Sequence, residues 1–179
     1  GKITLVDMLR CELESAPRII KFSPDGRFAY LICELKNYIS VYSYKDGPRG
    51  PVFELLQTIS TLNDYHSSGS AACVLRFSRD WKYVLCSNAG DNSVGIFKID
   101  RETGMLEKIC ILPVSGDYPK AADFFPDNRH IMALNHESNT MTIFRINYEK
   151  KYFSLWGKPL KVETPNCVLV SEIEEAPKQ

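Results

Sequence analysis

No stretch of the chain approaches the roughly 20 consecutive apolar residues that a membrane-crossing helix needs. The first residues, GKITLVDMLRCELE, carry neither a basic leader nor a long apolar core. No targeting segment is read there, and a soluble, cytoplasmic protein that touches no membrane is expected. A surplus of either charge is missing too. Lys plus Arg and Asp plus Glu each total 22, which removes the field that would draw nucleic acid or an anionic bilayer and leaves any charge-based function to local clusters. Cysteines are present but unpatterned: Cys11, Cys33, Cys73, Cys86, Cys110 and Cys167 include no C-x-x-C pair. Most lie in apolar, strand-like stretches, the setting of buried reduced thiols. The three histidines, His66, His130 and His136, make no ligand spacing with those cysteines, so neither a metal nor another cofactor is expected.

What the chain does contain is repetition. Three segments superpose: IIKFSPDGRFAYLICELKNYISVYSY (19–44), VLRFSRDWKYVLCSNAGDNSVGIFKI (74–99) and AADFFPDNRHIMALNHESNTMTIFRI (121–146). Each reads as a short strand, a turn of the Pro24-Asp25-Gly26 kind, a second strand, a polar turn, and a third strand rich in β-branched and aromatic residues. Aligning Asp25, Asp80 and Asp127 gives a period of about 50 residues, in the range of propeller blades. A fourth strand follows each unit, in PVFELLQTIS, GMLEKICIL and KYFSLWGKPLKV. The expected class is therefore all-β, a β-propeller of four-stranded antiparallel blades.

The ends extend the pattern. Residues 1–16 match a fourth strand whose blade is otherwise absent, and 164–173 match a lone first strand. Between them lie blades at 17–62, 63–113 and 114–163. A propeller buries both faces of every blade only by closing, so this order reads as about half of a larger ring, open to a missing N-terminal half or to a second copy through its strand edges. An open solenoid would need terminal caps, which the sequence does not display. EIEEAPKQ, at the C-terminus, reads as a solvated tail.

A hairpin turning between residues 25 and 26 pairs residues whose numbers sum to about 51, which sets Arg18 nearly opposite Glu34 at its open end. The repeat offsets put Cys73 and Ala89 at that level in the next blade, Lys120 and His136 in the third, and Asn166 on the lone last strand. Inner strands line the channel of a propeller, so one rim collects Arg18, Glu34, Lys120, His136 and Asn166, with Asn88 beside it. Such a set of donors, a carboxylate and an imidazole fits an anionic small molecule. The plainer reading has Arg18 and Glu34 pairing across the strands, His136 merely solvated, and Asn88 tying down its own turn. The loops SAPR and VSGDYP enter inner strands beside this rim and can also reach a ligand.

The segments APRIIKFSPDGRFAYLICEL, LQTISTL, YVLCSNAGDNSVGIFKID-x-ETG and YPKAADFFPDNRHIMALNHESNTMTIF resemble the seven-bladed lactonase propellers. That family includes propeller-type 6-phosphogluconolactonases and the related carboxymuconate-lactonizing enzymes. The similarity runs from about residue 1 to 170 and corresponds to the family's C-terminal half. It implies a ring of about twice this length, with Arg18 and Glu34 as site residues at the channel mouth. The chain departs from the family at Ala89, where arginine is common, at Lys120, where arginine is frequent, near Val74, where an acidic residue is usual, and at Cys33, which stands where asparagine does.

As a lactonase, the chain would hold a phosphorylated or carboxylated sugar lactone with Arg18, Lys120, Asn88 and Asn166. Glu34 would take a proton from the attacking water, and His136 would polarise the ester or move a proton. As a non-enzymatic binding module, the same rim would hold a sugar acid or a partner's acidic segment without turnover. A muconate-type cycloisomerase would use similar basic residues. Nothing in the composition favours nucleic acid as a partner.

Overall fold

A computed structural model describes residues 1–48 and 50–171. Strands β1 (Pro17–Phe22), β2 (Phe28–Cys33), β3 (Tyr38–Gly47) and β4 (Gly50–Ser60) form one sheet in that order. β5 (Ala71–Phe77), β6 (Tyr83–Ala89), β7 (Ser93–Ile99) and β8 (Leu106–Pro113) form the second. β9 (Pro119–Phe124), β10 (His130–Asn135), β11 (Thr140–Asn147) and β12 (Tyr152–Leu155) form the third, and β13 (Leu160–Lys161) also pairs with β11. All pairings are antiparallel, and no helix occurs among the described residues.

The turns explain why these residues make hairpins. Gly26, Trp81 and Asn128 occupy the same left-handed position in the three first turns, with φ of 70°, 54° and 54°. Asn37, Asn92 and Asn139 do so in the second turns, with φ of 51°, 56° and 55°. Asparagine tolerates this region better than other side chains do. Ser23 donates its hydroxyl to Asp25 at 2.6 Å and Ser78 donates to Asp80 at 2.7 Å. Strand pairing from Phe22↔Ala29 to Ile19↔Ile32 keeps partner numbers summing to 51.

The core lies between sheets and follows the period of two. Phe28, Tyr30 and Ile32 of β2 pack with Leu75, Val84, Cys86 and Phe97 of the second blade. The opposite face of that blade sets Val74, Leu85, Val94 and Ile96 against Ala122, Phe124, Ile131 and Ala133 of the third. Full burial of a side chain such as Phe97 contributes about 1.5–3 kcal/mol. Polar ties fix the stacking: Gln57 exchanges two hydrogen bonds with the Leu106 backbone, at 2.9 and 2.7 Å, and the Ala72 amide donates to the Glu34 carbonyl at 3.0 Å.

The fourth strand of the third blade, read as continuous, is divided. The Trp156 amide still donates to the Ile143 carbonyl at 2.7 Å, but Gly157 turns to φ 82° and Pro159 has no N–H to give the ladder. Among the described residues, neither the outer strand read in 1–16 nor residues 164–171 of the inner strand read in 164–173 form a strand, because a lone strand has no ladder to join. Glu172 and Ile173, with the tail read as solvated, lie outside the described residues.

Candidate functional site

The rim is made by a bulge that recurs at one place in every blade. Between β1 and β2 the register shifts between Pro17 and Ile19, leaving Arg18 as the extra residue. Between β5 and β6 it shifts between Ala72 and Val74, leaving Cys73. On β9, Pro119 pairs with Asn135 and Ala121 with Leu134, leaving Lys120. A bulged residue escapes the strand's alternation and its side chain is re-aimed. The three re-aimed side chains stand at the same end of three neighbouring inner strands.

Arg18 meets Glu34 there: Nη1 donates to Oε2 at 2.7 Å, with the two side chains 41% and 29% exposed. The plainer reading of the pair is thus realised, and both groups remain accessible. The hydrogen bond to Glu34 raises the Arg18 pKa, against the effect of partial burial. Glu34 keeps Oε1 without a protein partner among the described residues. Its backbone is held from both sides, its N–H by the Ala16 carbonyl at 2.9 Å and its carbonyl by the Ala72 amide.

The charges of the rim also bear on the thiol among them. Arg18, Glu34 and Lys120 all act on Cys73, whose pKa is raised, chiefly by burial, with Arg18 and the Ala89 N–H opposing. Cys73 is 5% exposed and its Sγ lies 3.3 Å from the Ala71 carbonyl. A thiol held protonated in this way is a small packing group, not an activated nucleophile. The Lys120 ammonium sits 5.6 Å from the centre of the Tyr118 ring, and the Tyr118 carbonyl accepts the His136 amide at 3.0 Å. Tyr118 was legible only as part of a loop beside the rim; the signal was its place directly before the Pro-Lys pair.

His136 is half-buried, and its Nδ1 lies 3.3 Å from the Pro165 carbonyl. That contact fits an Nδ1–H tautomer, which leaves Nε2 as the lone-pair nitrogen. It also brings the last segment to the rim. Asn166 follows the buried Pro165 and is itself exposed. Asn88 lies beneath the rim rather than on it. It is fully buried and donates from Nδ2 to the Thr61 carbonyl at 2.8 Å and to Ser93 Oγ at 3.0 Å. This amide ties the first blade to the second through Nδ2, while its Oδ1 is buried without a hydrogen-bond partner. A concavity of about 340 Å³ lies at the other end of the first two blades, lined by Asp25, Arg27, Trp81 and Arg101 among others. It shares none of the rim residues.

The family described as "Lactonase, 7-bladed beta-propeller" matches residues 1–170. An uncharacterised protein of Lactococcus lactis subsp. cremoris is 34% identical over 170 residues, covering 94% of this chain and 49% of the relative. The 6-phosphogluconolactonase of Bacillus subtilis is 25% identical over 154 residues, covering 86% of this chain and 44% of the relative. Among solved structures, the periplasmic gluconolactonase of Pseudomonas aeruginosa superposes with a TM-score of 0.80 at 25% identity, over 89% of this chain and 43% of that one. The chain spans about half the length of the curated relatives it matches.

Proposed function

The chain belongs to the seven-bladed β-propeller lactonase family, and from that premise we propose that its rim hydrolyses a phosphorylated or carboxylated sugar lactone. The observation carrying the reading is the triple bulge: one backbone device, repeated in each blade, aims Arg18 and Lys120 at one end of the inner strands beside the half-exposed Glu34. The relative with a printed activity, the Bacillus subtilis 6-phosphogluconolactonase, makes a phosphorylated lactone the first substrate to try.

In this reading Arg18 and Lys120 supply the positive field that draws in the anionic lactone. Arg18 fixes Glu34 through Oε2, leaving Oε1 to accept a proton from water as its oxygen attacks the lactone carbonyl. The oxyanion that forms is stabilised by the two cations in a partly shielded setting. Collapse breaks the bond from the acyl carbon to the ring oxygen, which leaves as an alkoxide and takes the proton that Glu34 removed from water, with His136 assigned to relay it; the new carboxyl group releases its remaining proton to solvent. The products are a free carboxylate and a hydroxyl on one sugar acid.

The test is hydrolysis of 6-phosphogluconolactone by the full chain beside a Glu34→Gln variant. Loss of general-base help lowers turnover roughly 10²–10⁴-fold, with substrate affinity little changed. Equal turnover in the two proteins would remove Glu34 from the mechanism. Ligand binding without turnover would leave the rim a binding module.

A further inference from the structure

Three residues past each bulge, the inner strands carry a second set of side chains: Lys21 on β1, Arg76 on β5 and Asp123 on β9. At about 3.3 Å per residue this layer lies about 10 Å beneath the rim. Arg76 Nε and Asp123 Oδ2 approach to 3.5 Å across neighbouring blades, both side chains mostly shielded. Lys21 belongs to the first blade and Asp123 to the third, with the second sheet between them. Lys21 nevertheless acts on the Asp123 carboxylate, as do Arg76 and Arg79. The three positions share one level of three neighbouring inner strands, the strands that line the channel of a propeller.

Of the three side chains at this level, Lys21 and Arg76 are cations and Asp123 is the one carboxylate, so the layer is biased toward positive charge. Burial raises the pKa of that carboxyl, and Arg76, Lys21 and Arg79 work against it. The pairing is also incomplete. Arg76 Nε is buried and has no hydrogen bond, and Lys21 forms no ion pair among the described residues. A buried guanidinium nitrogen left unbonded costs free energy that an arriving anion can offset.

We propose that Lys21 and Arg76 form an anion-binding layer inside the channel, which takes the phosphate or second carboxylate of a substrate whose lactone ring lies at the rim. The placement of the ring rests on the lactonase reading above. The layer adds a division of labour. Arg18 and Lys120 face the reacting carbonyl, and the deeper cations fix the far end of the molecule, so preference for a lactone with a remote anionic group is set beneath the rim.

The experiment is calorimetric titration of the full chain with gluconate, 6-phosphogluconate and inorganic phosphate. The expected result is that 6-phosphogluconate binds roughly tenfold or more tightly than gluconate, as charge-assisted contacts to a phosphate allow. Inorganic phosphate competes with it. Lys21→Met, which breaks no ion pair among the described residues, abolishes most of that advantage and leaves gluconate affinity unchanged. Arg76→Leu acts in the same direction, with a thermal melt reporting whether Asp123 tolerates losing its partner. Equal affinity for the two sugar acids, an advantage that survives Lys21→Met, or no binding of any probe would overturn the layer. A phosphate advantage without any lactone turnover would keep the layer and sink the lactonase reading, while turnover without that advantage would sink the layer alone.

Discussion

Asn88 and Cys73 show what individual residues at this rim do and do not disclose. Asn88 stands beside the rim level in the repeat alignment, but its amide spans the first two blades from a fully buried position. Deleting it leaves the Thr61 carbonyl and Ser93 hydroxyl short of a donor, so Asn88→Ala should lower unfolding free energy by about 1–3 kcal/mol. Urea denaturation reads that loss, and the affinity for 6-phosphogluconate should not move. Weakened binding at unchanged stability would return Asn88 to the binding surface. Arg18 and Glu34 were legible because their separation follows from the turn alone, and the 2.7 Å contact realises it. Cys73 was legible as a level but not as a role, since a thiol's chemistry depends on burial and neighbouring charge that no spacing encodes. The same holds for Asn88: an amide reads alike whether it faces a channel or a neighbouring blade.

Elements were read more fully, because turn chemistry and the period of two are local. The bulges were not read. One extra residue per hairpin is absorbed when repeats are aligned to each other, since all three repeats carry it at the same place. The break between β12 and β13 was written in Gly157 and Pro159, but the apolar residues on either side masked it. The repeated turns themselves carry a prediction about acid. The Ser23 hydroxyl, followed by the Arg27 side chain and backbone, lowers the Asp25 carboxyl from 3.8 to about 2. Burial pushes Asp80 and Asp127 upward, but the Ser78 and Lys82 bonds in one, and the His130 and Arg129 bonds in the other, leave both lowered. A carboxyl depressed in the folded state contributes stability above its unfolded pKa and loses it as pH falls through the folded value. For Asp25 that window runs from 3.8 down to about 2. The Arg27 amide donates to Asp25 Oδ1 at 3.1 Å, so its NMR shift should titrate with a midpoint near 2, moving toward 3.8 in Ser23→Ala. A wild-type midpoint already near 3.8 would mean the turn bond is not made.

For the whole molecule, the decisive quantity is which blade faces are covered. The second blade is packed on both sides. The first buries one face against the second and, on the other, packs Ala29, Leu31, Cys33 and Tyr42 with Cys11, Tyr38 and Phe53 into a cluster of its own, so that only the inner-strand end of that face is open. Ile20 and Phe22 point the same way, since they pair with Leu31 and Ala29 across the ladder, and they are 40% and 42% exposed. In a closed ring a neighbouring blade covers such a face, and the relatives are about twice as long as this chain. Exposed apolar area of this kind drives association. The chain by itself should therefore sediment with a weight-average mass that rises as its concentration is raised from about 1 to about 100 μM, a span wide enough to populate a micromolar complex. Ile20→Thr with Phe22→Thr keeps strand propensity while removing apolar surface, and it should hold the chain monomeric. Tyr65→Ser, in the loop before β5 and almost wholly exposed, should change nothing. A wild-type chain that stays monomeric throughout would mean that this face is stable in water. The contribution of blade-to-blade burial to ring closure would then have to come from the third blade's outer face, where Trp156 and Leu160 are exposed.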